Sequence, residues 1–181
     1  AARRRPWLRS TRRARSVSTR ARRSTTRDAP TADPRSYILS LVGEIVHFRV
    51  NGTSASGYLA RPRTASGPGV LVIQEWWGLD PSLKQTTDRL AAAGFVAFAP
   101  DPFHGELAGH DEMDRAAHLM ETLPPARAAR DMSAAVDLLA SHPAVTSRRI
   151  GVVGFCMGGL LSFIIAANRP DRVKALVPFY G

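Results

Sequence analysis

From residue 44 onward the chain alternates short apolar runs with longer stretches in which apolar residues return every three or four positions. Residues 44–50, the pair Asn51-Gly52 and residues 57–60 predict two short strands joined by a tight turn, an antiparallel opening. Val70-Leu71-Val72-Ile73, bounded by Gly69 and by Gln74-Glu75, is apolar at every position, as suits a strand buried on both faces of a parallel sheet. A helix should follow, with Asp80 as its N-cap, Pro81 at its first position and Gly94 as its stop. Residues 95–99 predict the next strand, 100–109 a loop and 111–122 a short helix. An amphipathic helix runs over 125–140, with Met132, Ala135, Val136 and Leu139 on one face. Strand 150–154, a helix over 157–167 that is apolar nearly all round, and a last strand over 173–177 complete the pattern. Strands alternating with helices indicate an α/β fold with a mostly parallel sheet, whose ligand sites lie at the carboxyl ends of the strands. No internal repeat is evident.

Composition narrows this to one domain, spanning 36–181, since 181 residues of which 44% are hydrophobic can fill one core. The net charge of +10 would suggest nucleic acid or an anionic membrane as partner, were it spread over the fold. It is not. Eleven of the 25 basic residues lie in 1–27, which holds no acidic residue, and the remaining 14 face all 15 acidic ones. Segment 1–35 has few apolar residues, no period and like charges that repel, so it is expected to be disordered. Three readings stand for it: an organelle transit peptide, an electrostatic clamp for phosphates, or translated upstream sequence. Nucleic acid enters only through this tail. The single cysteine can form no internal disulfide and no apolar run is long enough for a membrane span, so the expected location is cytoplasmic, without a membrane partner.

Candidate chemistry concentrates after the fifth strand, in Gly154-Phe155-Cys156-Met157-Gly158-Gly159, which opens straight into the apolar helix. This is the G-x-nucleophile-x-G elbow with cysteine at its centre. The nucleophile sits on a strained turn, and small residues two positions to either side let strand and helix approach. The turn also sets the thiol at a helix N-terminus, where backbone N–H groups favour thiolate and oxyanion charge. A buried structural thiol is the plainer alternative. A dinucleotide phosphate loop fits poorly, because its glycine spacing differs.

Gln74-Glu75-Trp76-Trp77-Gly78 after the third strand, Ala99-Pro100-Asp101 after the fourth, the elbow at 154–159 and Val177-Pro178-Phe179-Tyr180-Gly181 at the end follow one another in a specific order. With this set, from about Gly43 to the last residue, the chain resembles the dienelactone hydrolase (carboxymethylenebutenolidase) family of the α/β-hydrolases. The resemblance implies hydrolysis of a lactone or small carboxylic ester by a Cys-His-Asp triad, with no metal or other cofactor. It implies Cys156 as nucleophile and Glu75 beside the resting thiol, ready to take its proton. A carboxylate at the end of a neighbouring strand can reach an elbow, and two tryptophans beside it suggest a partly apolar pocket, although a plain surface-loop carboxylate is the alternative. The backbone N–H groups of Trp76 and Met157 would form the oxyanion hole. Trp77 would line the substrate site.

The sequence departs from that family in two places. Members that bind anionic lactones use an arginine in the loop after the fourth strand, where this chain has Asp101 to Glu106 without one. His104 could serve there as a weaker anion partner in the substrate pocket, or be a solvated loop histidine. Second, all five histidines (His47, His104, His110, His118, His142) precede Cys156, and Asp171, the only Asp after it, comes before the last strand and so should lie opposite the site. Two expectations follow: a hydrolase recorded without the end of its fold, inactive as it stands because the triad Asp and His are absent, or a short non-catalytic binding or interaction module. The first is favoured, since the apolar helix and last strand would otherwise be left uncovered. Substrate and oligomeric state are not encoded legibly.

Overall fold

A computed structural model describes residues 43–181; the expectations for 1–35 fall outside the described residues. Ten elements follow in the order β1 (Glu44–Val50), β2 (Thr53–Ala60), β3 (Gly69–Ile73), α1 (Pro81–Ala92), β4 (Val96–Pro100), α2 (Met113–Thr122), α3 (Pro125–Ser141), β5 (Ile150–Phe155), α4 (Met157–Asn168) and β6 (Val173–Phe179). The strands form one sheet in the order β1-β2-β4-β3-β5-β6. The β1–β2 and β2–β4 pairs are antiparallel, and the pairs from β4 to β6 are parallel. This is the α/β-hydrolase architecture, incomplete at its C-terminal side.

At the hairpin, Asn51 and Gly52 take φ of 46° and 87°, the doubly left-handed turn that matches strand twist. That turn pairs Val50 with Thr53, so β2 begins four residues earlier than its own composition suggests. Thr53-Ser54-Ala55-Ser56 looks like loop in isolation; the β1 ladder makes it strand. At α1 the local signals suffice. Asp80 Oδ1 accepts from Leu83 N–H at 2.8 Å, Pro81 takes the first turn, and Gly94, at φ 101°, closes it.

Two apolar layers hold the sheet. Leu83 and Ala91 of α1 pack with Tyr58, Val70, Val72, Ala97 and Ala99 on one face. Met132, Ala135, Val136 and Leu139 of α3 and Ile165 of α4 pack with Phe48, Leu71, Ile73, Phe98 and Val152 on the other. All five residues of β3 are buried, as its uniform apolarity requires. The apolar helix α4 and the edge strand β6 are different: Leu160, Phe163, Ile164, Val177 and Phe179 stand exposed.

Candidate active site

The peptide leaves β5 into a sharp turn at Cys156, whose φ of 52° and ψ of −118° few L-residues adopt without strain. The turn closes because Gly154 and Gly158 lack side chains. A Cβ on Gly154 would run into the carbonyl of Gly158, and one on Gly158 into the carbonyls of Ile73 and Gln74. The elbow therefore rests directly on the carboxyl end of β3, where Glu75 follows. Cys156 N–H donates to the Phe179 carbonyl at 3.0 Å, and the Cys156 carbonyl accepts from Gly159 N–H at 2.8 Å. The half-buried thiol is thus held at the first turn of α4.

Glu75 is fixed from the other side. The Tyr180 phenol donates to Glu75 Oε1 at 3.0 Å. Although Tyr180 is largely exposed, the water it loses at the cleft, then the bond and charge of Glu75, then the influence of nearby Cys156, push the phenol above its ordinary value, so it stays a donor. Tyr180 itself sits at a left-handed φ of 35°. Glu75, Trp77, Asp80, Leu83, Phe155 and Tyr180 line a small cleft of about 140 Å³. Trp76 and Trp77 meet edge to face, with ring centres 5.2 Å apart. His110 stacks on Trp77 at 4.7 Å and bonds through Nε2 to Asp80 Oδ2 at 3.0 Å, so its imidazole stands at the rim. Asp80 serves both structures, one oxygen capping α1 and the other holding His110. The backbone N–H groups of Trp76 and Met157 meet no acceptor among the described residues. Beneath the elbow, the fully buried Gln74 side chain also finds no protein partner among them.

Of the residues singled out from sequence, Glu75 and Trp77 share this cleft, with Cys156 next to its Phe155 wall and beside Tyr180. His104 is not among them. Its imidazole is drawn to Asp131, 2.8 Å from Nε2, and lines a different cleft. Asp171 pairs with Arg169 and Arg172 before β6, at the amino end of the strand, as its position in the chain requires. Tyr180, Asp80 and His110 were not foreseen as site residues. Tyr180 lay inside the 177–181 motif, but nothing in its neighbourhood announces a bond 105 residues away.

The family model described as "Dienelactone hydrolase family" matches residues 55–181. The chain is 43% identical over 146 residues to the protein Usf of Aquifex pyrophilus, covering 77% of this chain and 62% of that one. It is 41% identical over 146 residues to a protein of Aquifex aeolicus strain VF5 named as a carboxymethylenebutenolidase, with the same coverage of 77% and 62%. A crystal structure from Klebsiella pneumoniae carrying the dienelactone hydrolase name superposes with a TM-score of 0.68 at 29% identity, over 78% of this chain and 60% of that one. The chain thus spans about 62% of the length of these two curated relatives. With the elbow, the Gln74-Glu75 segment and the sheet order all in place, this chain belongs to the dienelactone hydrolase family.

Proposed function

We propose that the protein hydrolyses a lactone or small carboxylic ester through Cys156. The observation that carries this reading is the strained backbone at Cys156, imposed by two glycines that tolerate no Cβ. A structural thiol has no use for such a turn, whereas a nucleophile needs it to stand clear of the sheet. Glu75, at the end of the adjoining strand, takes the thiol proton, and the resulting thiolate attacks the substrate carbonyl. The Trp76 and Met157 N–H groups, which no protein acceptor occupies among the described residues, receive the developing oxyanion. Collapse of the tetrahedral adduct expels the alkoxide, which takes a proton from solvent to leave as the alcohol or to become the hydroxyl of the opened lactone, and a thioester remains on Cys156 with Glu75 holding the thiol's proton. Trp77, with His110 stacked on it, forms the apolar wall for the substrate. The carboxymethylenebutenolidase name of the Aquifex aeolicus relative supports an unsaturated lactone as the first substrate to try.

Water must then cleave the thioester, and that step needs a base. Among the described residues no histidine side chain bonds Cys156 or Glu75: His104 is drawn to Asp131, His110 to Asp80 and His142 to the Ala144 N–H, and His47 and His118 make no side-chain hydrogen bond. We infer that the 181-residue chain acylates once and stalls, while a chain carrying the full length of its relatives turns over. The two are compared with a p-nitrophenyl ester, the first expected to release a stoichiometric burst and the second sustained product. Cys156→Ala should abolish both, and a burst that survives it would remove the nucleophile. Acid–base steps of this kind are worth about 10²- to 10⁴-fold, which separates burst from turnover cleanly. A purely non-catalytic binding role gains no support from the elbow.

A further inference from the structure

The β1–β2 turn, the loop after β4 and the first turns of α3 enclose a second cleft of about 580 Å³, larger than the one at the elbow and separate from it. Its wall is built around Asp131, whose side chain is buried and bonded to His104. The loop presenting His104 is shaped by Asp101, whose Oδ1 accepts from Phe103 N–H at 3.1 Å and Oδ2 from Gly105 N–H at 2.6 Å. His104 takes a left-handed φ of 54° in that loop. Because Asp131 faces His104, it leaves two neighbouring arginines without a carboxylate.

Arg127 and Arg130, three positions apart and so on adjacent sites of one helix face, both line the cleft. Among the described residues neither forms an ion pair. The Nε of Arg127 is buried with no acceptor, and its guanidinium makes one long contact, Nη2 to the Pro102 carbonyl at 3.5 Å. A buried guanidinium N–H without an acceptor is costly, and its natural complement is an oxyanion that takes the planar fork in parallel bonds. Asn51, Thr53 and Ser54 on the opposite wall offer an amide and hydroxyls. The Thr53 hydroxyl is spent on the Val50 carbonyl, which leaves Asn51 and Ser54 facing the ligand.

We propose that this cleft binds a small polar molecule bearing an oxyanion, phosphate or carboxylate, held between Arg127 and Arg130 with its remainder against Asn51 and Ser54. The site stands apart from the elbow and does not depend on the hydrolase reading.

The arginine-rich segment 1–27 attracts any anion, so the test must report on one side chain. The ¹⁵N-labelled full chain is titrated with inorganic phosphate and, separately, with succinate at constant ionic strength, following the Arg Nε–H resonances. The Arg127 signal is assigned by its loss in Arg127→Lys. A saturable shift of that signal is expected with at least one anion, and the tighter of the two names the oxyanion. Arg130→Gln, a change on the exposed helix surface, should weaken saturation by about tenfold, the ordinary loss for one charge-assisted bond, while Arg130→Lys should weaken it less. A shift that stays linear with both anions overturns the proposal, as does a saturable shift that Arg130→Gln leaves unchanged.

Discussion

At the scale of single residues the site depends on one tight fit and one restraint. The fit is at Gly154 and Gly158, where any Cβ meets backbone that cannot move without parting strand from helix. The restraint is Tyr180 on Glu75. While the phenol donates to it, Glu75 is less free to accept the thiol proton. Tyr180→Phe should therefore speed alkylation of Cys156 by iodoacetamide by about two- to tenfold, the range of one net hydrogen bond. In a Glu75→Gln background the same change should have no effect. Equal rates in wild type and Tyr180→Phe would show that the bond does not restrain Glu75. The placing of Glu75, Trp77 and Cys156 around the elbow cleft was legible because each stands in a short motif beside a strand end. Tyr180 was not, because its role comes from where β6 lies in the sheet.

Among elements, the join between α3 and α4 is secured by Arg169. Its guanidinium donates to both oxygens of Asp137, at 2.9 and 2.6 Å, and to the Ser133 carbonyl at 3.0 Å, and it also reaches Asp171. Arg169 is only 17% exposed but Asp137 is 56% exposed, so solvent screens much of the pairing. Arg169→Ala should cost about 1–2 kcal/mol, read from urea unfolding midpoints, and combining it with Asp137→Ala should cost little more than either alone. Fully additive losses would mean that the pair contributes nothing as a pair. The element boundaries show where local signals stop. Caps and glycines mark α1 correctly, yet β2 starts early because β1 supplies its ladder, and β6 continues through Pro178 to Phe179 because β5 runs alongside. Proline lacks a donor and can still sit on a strand at a sheet edge.

Over the whole molecule, pH acts in part through two carboxyls, Asp88, half-buried, and Asp101, buried. Asp88, under the Tyr58 phenol, is raised above 3.8 chiefly by burial, against the bonds from Tyr58 and Gly43. Asp101 is likewise raised above 3.8, burial outweighing the Gly105 and Phe103 N–H groups. The folded state holds these protons more tightly than the unfolded one. Their stabilisation is complete below about 3.8 and is lost as pH rises through the folded values. Unfolding free energies measured across that window should fall less steeply in Asp88→Asn than in wild type, and an unchanged slope would place the linkage elsewhere. What the sequence determined by itself was the succession of strands and helices, the elbow and the near-neutral charge of residues 28–181 beside the basic residues 1–27, since these depend on spacing and charge within a few residues. Tertiary structure alone decided that Tyr180 meets Glu75, that His110 is held by Asp80 at the rim, and that His104 turns away to Asp131 and opens a second cleft. Those meetings join residues 105, 30 and 27 positions apart, and they follow from strand order and burial across the whole sheet, which no local pattern records.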